Sequence, residues 1–131
     1  MTDPTEMTLE EYLQSQKKKK PSKYKAKSIE LDGYRFDSQA EADRYNQLKL
    51  LEHAGVIQNL EIHPVYVLQP KFTTFRGEKV RAIKYEADFE YWEGRVHIVE
   101  DVKGVQTEAF KIKQKLFLKL CGNIDFRIVK A

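Results

Sequence analysis

The chain has 131 residues, 41% apolar and 33% charged, enough for one domain with one moderate core. No apolar run approaches the ~20 residues of a membrane-spanning helix, and the first residues lack the apolar centre of a secretory signal. Cys121 is the only cysteine, which excludes an internal disulfide, and with His53, His63 and His97 it makes no zinc-ligand spacing, so a soluble cytoplasmic protein without membrane partners is expected.

The formal net charge of +3 is unevenly placed. Residues 1–28 hold seven lysines (Lys17, Lys18, Lys19, Lys20, Lys23, Lys25, Lys27) against Asp3, Glu6, Glu10 and Glu11, which leaves 16 basic and 16 acidic residues beyond them. Four consecutive lysines, Lys17 to Lys20, suit either a DNA-backbone contact or a solvated tail. Thr8-Leu9-Glu10-Glu11 has capping-box spacing for a short helix to Gln16, and Lys17–Ser22 reads as a linker. Residues 1–23 are therefore expected to be a flexible basic arm, and 24–131 the folded domain.

Ile29–Leu31 and Tyr34–Phe36 flank Asp32-Gly33, a hairpin with a type I′ turn signal. Ser38 caps a helix that Gly55 closes, with Tyr45, Leu48 and Leu51 as its inward stripe. Leu60–Leu68 predicts a strand bent at Pro64, and Pro70–Glu78 a loop. Val80–Trp92 alternates as one long strand, with Ile83, Tyr85, Ala87, Phe89 and Tyr91 on one face and Asp88 on the other with Ala82, Lys84, Glu86 and Glu90. After Gly94 comes a strand to Lys103, then a helix capped by Thr107 with Phe110, Phe117 and Leu120 inward, then a last strand Ile124–Val129. The expected core order is α-β-β-β-α-β. Tyr66, Phe75, Tyr85 and Trp92 read as core or loop packing.

Two runs carry chemistry. Tyr85-Glu86-Ala87-Asp88-Phe89 and Val99-Glu100-Asp101-Val102-Lys103-Gly104 flank the Gly94 turn, so their strands pair antiparallel with Asp88 and Asp101 near one level, diagonal to each other. Alternation puts Asp101 and Lys103 on one face and Glu100 on the other. Two converging carboxylates can share a divalent cation, and a nearby lysine can steady charge on a phosphate. Glu41 is either the third-position acid of a Ser38 capping box or the head of the inward stripe, aimed at the same spot; spacing alone leaves both open. Lys113 and Gln114 sit partly on the inward side of the second helix, where they could reach DNA phosphate or snorkel.

On these residues the chain resembles the PD-(D/E)XK nuclease superfamily, and within it a family of small phage-encoded proteins long known only as a domain of unknown function. The matching features run from Tyr24 to the end: Asp32 to Ser38, the Glu41–Gly55 helix, Arg81-Ala82-Ile83 to Asp88-Phe89, Val99 to Gly104, and Thr107 with Phe110. The usual Pro before the first Asp is here Ala87. The resemblance implies an α/β (α+β) restriction-endonuclease-like core with a central mixed sheet flanked by helices. It implies Mg²⁺, replaceable by Mn²⁺, on Asp88, Asp101, the Val102 carbonyl and Glu41, and Lys103 as the group that orients water or steadies the transition state. The expected activity is a Mg²⁺-dependent DNA endonuclease for phage DNA processing, recombination or junction resolution, acting as a homodimer or with a partner phage protein. The alternatives are a non-catalytic DNA-binding or packaging accessory on the same fold, and a hydrolase of RNA or a small substrate.

Overall fold

The computed structural model describes residues 28–131; the expected helix Leu9–Gln16, the arm lysines Lys17, Lys18, Lys19 and Lys20, and the domain start near Tyr24 lie outside them. Strands β1 (Ile29–Leu31) and β2 (Tyr34–Phe36) form the hairpin, with Asp32 and Gly33 both at positive φ, as a type I′ turn requires. Helix α1 (Gln39–His53) starts at Ser38, whose Oγ accepts from the Glu41 amide at 3.1 Å. Its buried positions are Glu41, Ala42, Tyr45 and Leu48. Leu51, expected inward, is at the surface. The stripe advances by four residues after Leu48, to Glu52, whose carboxylate accepts from the Leu60 amide at 3.1 Å.

Each of the two long expected strands is broken. Leu60–Leu68 divides at His63-Pro64 into β3 (Gln58–Ile62) and β4 (Val65–Gln69), with His63 at φ 55°. Val80–Trp92 divides into β6 (Lys79–Val80), β7 (Ile83–Glu86) and β8 (Phe89–Glu93), with β5 (Phe72–Thr73) pairing β6 inside the expected loop. The remaining elements are β9 (Val96–Lys103), α2 (Glu108–Leu120) and β10 (Ile124–Lys130). The architecture is mixed α/β. The larger sheet runs β10-β9-β8-β3, with β10 parallel to β9 and the other neighbours antiparallel; β4 and β7 form a separate two-stranded ribbon. The larger sheet and the two helices follow one another along the chain as α1-β3-β8-β9-α2-β10.

The two faces of this sheet have different cores. Ile98, Phe89 and Tyr91 pack with Phe36, Tyr45 and Leu48 on the α1 face. Val99 packs with Tyr85, Ala87, Phe110 and Phe117 on the α2 face. Tyr85 and Ala87 thus lie on the opposite side from Phe89 and Tyr91, contrary to the single face their spacing predicts. The bend at Ala87-Asp88 resets the two-residue alternation. Ile83, expected on that face too, is at the surface. On α2 the inward stripe ends at half-buried Cys121, four beyond Phe117, and Leu120 is 58% exposed, not inward. Tyr66 and Tyr85 pack on Phe117, and Trp92 stacks on His97, whereas Phe75 packs in neither core and stands fully exposed.

Candidate metal and nucleic-acid site

The two strand breaks lie side by side and build one site. Where the chain kinks at His63-Pro64, the His63 amide donates to the Asp88 carbonyl at 2.9 Å and the Ala87 amide to the Pro64 carbonyl at 3.0 Å. The Asp88 amide donates to the Glu100 carbonyl at 3.1 Å. Asp88 is therefore tied by its backbone to β3 on one side and β9 on the other while its side chain leaves the regular alternation. The β8–β9 register ends with Phe89 opposite Glu100, so Asp88 lies just past it, and its side chain reaches along β9 to the Val102 amide.

Around Asp88 the acids converge. Ligand atoms of Glu41, His63 and Asp88 all lie within 4.8 Å of one another. Glu41 is nearly buried, and its Oε2 is 2.8 Å from His63 Nε2. Ser38 supplies its half of the capping box, but the Glu41 carboxylate turns to the imidazole of His63. Asp88 Oδ2 accepts from the Val102 amide at 2.6 Å. Burial pushes the Asp88 carboxyl up to about 8, with the negative charges of Asp101 and Glu41 adding and the Val102 amide opposing. Val102 thus enters the site through its N–H.

Asp101, 2% exposed, accepts from the Tyr85 hydroxyl and faces Lys103, Oδ1 to Nζ 3.5 Å. Burial and the Asp101 carboxylate raise the Tyr85 hydroxyl's pKa, which keeps it a donor. The Lys103 ammonium also sits 4.7 Å from the centre of the Phe110 ring. Lys103 opens on a groove of about 580 Å³ lined also by Lys84, Tyr85, Glu86, Thr107 and Lys113. Three lysines line it against one acid. Gln114, half-buried one position further along α2, is not among the lining residues.

Glu41, His63 and Asp88 form one group of donors, Asp101 with its Lys103 partner adjoins it at Asp88, and the acids outnumber the fixed cation. Oxygen donors of this kind fit a hard divalent ion such as Mg²⁺, and the imidazole widens the fit to Mn²⁺. Glu41, His63 and Asp88 are the donors placed together to hold it, and Asp101, beside Asp88 but outside that group, could add an oxygen.

Glu100, next to Asp101 but on the α1 face, is fully buried and excluded from this cluster. The Arg44 guanidinium grips it at both oxygens, Nε to Oε1 2.8 Å and Nη2 to Oε2 2.6 Å, and Tyr91 donates a third bond. The pairing raises the pKa of Arg44 further. Two of these contributors carry no motif. His63 was signalled only by the Pro64 that follows it, and Arg44 only by its place one helical turn after Glu41.

Comparison with curated proteins and with solved structures gave no match for the chain. A family model described as "Protein of unknown function (DUF1064)" matches residues 21–131, which takes in every described element and every residue of the site, and the chain belongs to that family.

Proposed function

We propose that the chain is a Mg²⁺-dependent DNA endonuclease related to the PD-(D/E)XK nucleases and of phage origin. The observation that carries this reading is the meeting of Glu41, His63 and Asp88 at a strand break beside Asp101 and Lys103. The chain order α1-β3-β8-β9-α2-β10 supports it, being the order that the resemblance implies.

A bound divalent cation would supply Lewis-acid polarisation of the scissile phosphate and a lowered pKa for water. The chain's own groups do the rest. Lys103 faces both Asp101 and the groove, where its ammonium offsets charge growing on the phosphate oxygens as the water oxygen bonds to phosphorus and the P–O bond to the leaving strand breaks. Lys84 and Lys113 hold flanking phosphates in the same groove. His63 fixes the Glu41 carboxylate, and the Val102 amide fixes Asp88. A binding-only protein would gain nothing from such a cluster, because acids at a phosphate surface repel the ligand.

Among the described residues there is one such site, so cutting both strands of a duplex or a junction calls for a homodimer or a partner protein. The test is cleavage of linear, nicked and branched DNA with Mg²⁺ or Mn²⁺. Cleavage by the parent, with loss in Asp101→Ala and Lys103→Ala, is expected; variants that cut as fast as the parent would overturn the site.

A further inference from the structure

The β4–β7 ribbon begins at the groove, where Val65 and Glu86 pair and both line it, and it leads away to β5 and β6. From Val65 to Thr73 is up to ~25 Å at strand rise. The β5–β6 hairpin at its far end has features that neither core uses. Its loop, Phe75-Arg76-Gly77, is closed by the Gly77 amide on the Thr74 carbonyl (2.9 Å), the Thr74 amide on the Glu78 carbonyl (2.8 Å) and the Glu78 amide on Thr74 Oγ1 (3.0 Å). Gly77 takes φ 89°, the left-handed position such a loop needs. The tip is thus a fixed platform, and Phe75 stands on it at 106% exposure, outside every aromatic pair among the described residues.

A single exposed apolar side chain is ordinary; its surroundings are not. Lys71, Arg76, Lys79 and Arg81 crowd this hairpin with Glu78 as the one acid, and among the described residues none of the four cations is in an ion pair. The register pairs Phe72 with Val80 and Thr73 with Lys79, and Lys71 and Arg81 flank the two strands at the end away from the tip. These three cations, with Phe72, Thr73 and Val80, line a concavity of about 410 Å³.

We propose that this hairpin is a second DNA contact: Lys71, Lys79 and Arg81 hold the backbone, and Phe75 stacks on an unpaired base. The substrate class is then DNA with a branch or fork, since a closed duplex offers no free base face to the tip. The inference rests on the nucleic-acid reading above but not on cleavage.

The experiment measures binding of the full chain in EDTA, by fluorescence anisotropy, to a duplex and to a splayed fork of equal length. Phe75→Ala should weaken fork binding roughly 5- to 100-fold and leave duplex binding unchanged. Replacing Lys71, Lys79 and Arg81 by Gln together should lower the slope of log K against log salt by about 2 to 3 on both DNAs. Fork binding by Phe75→Ala equal to the parent's, or an unchanged salt slope in the triple variant, overturns the proposal. So does a Phe75→Ala effect confined to self-association in sedimentation. A parent that binds forks through Phe75 yet never cuts sinks the nuclease reading and leaves this contact standing.

Discussion

Glu100 and Asp101 are consecutive residues of one strand, both buried, and they are treated in opposite ways. Glu100 meets a two-pronged guanidinium and a tyrosine hydroxyl, so its charge is matched one for one inside the protein. Asp101 meets a tyrosine hydroxyl and a lysine at 3.5 Å, but Asp88, itself beside Glu41, crowds in from the strand break. A buried acid that is fully paired is held for the fold. A group of acids with too little positive charge has room to take a cation from outside. The pair of neighbours teaches that burial alone does not tell two carboxylates of one strand apart; the local charge balance does.

The same change of acid to amide at each position breaks the comparison if the two behave alike. Asp101→Asn should lower cleavage by about 10³-fold or more, as expected for loss of a metal ligand, with a melting temperature close to the parent's. Glu100→Gln should do the reverse. It leaves the Arg44 guanidinium facing a neutral amide in the core and should cost about 3 kcal/mol in urea unfolding, while the chemistry of the folded fraction persists. If Glu100→Gln is as stable as the parent, the Arg44 clamp has no structural role; if Asp101→Asn unfolds the protein, its charge is structural after all.

Much of this contrast was legible in the sequence. The Gly94 turn set the level of Asp88 against Asp101, and two-residue alternation in an unbroken β9 separated Glu100 from Asp101 and joined Asp101 to Lys103. Alternation failed where strands broke. It carried Tyr85 and Ala87 onto the face of Phe89 because nothing local announces a bend at Asp88; that bend is held by bonds to His63 and Glu100, far away in the chain. Arg44 and His63 escaped for the same reason. Their partners, Glu100 and Glu41, are 56 and 22 residues distant, and a long-range side-chain contact has no periodicity to betray it. Helix stripes were followed correctly until the last turn, where a step of three stood in for a step of four at Leu51 and Leu120.

The crowding of charge at Asp88 should also appear as a pH dependence of stability. Its carboxyl is raised from 3.8 to about 8, chiefly by burial, so the folded chain binds that proton more tightly than the unfolded one. The resulting contribution to stability is fully present below 3.8 and is lost as pH rises through about 8. In EDTA the stability difference between the parent and Asp88→Asn should therefore widen in favour of the variant as pH rises across that window. Thermal melts of both proteins across the range measure it. Equal pH profiles would show that Asp88 is not under strain from its neighbours.

The smallest expected effect sharpens the comparison most, because it asks what His63 contributes to the unbalanced side. Its Nε2 lies 2.8 Å from Glu41 Oε2, within the group of donors around Asp88. An imidazole among carboxylates favours Mn²⁺ over Mg²⁺, since nitrogen donors suit transition metals. His63→Gln should weaken Mn²⁺ binding by about 10-fold and Mg²⁺ binding less, so that the preference narrows in calorimetric titration. An equal loss for both ions would instead assign His63 the task of orienting Glu41, the same service that Arg44 and Tyr91 perform for Glu100 on the other face of the sheet.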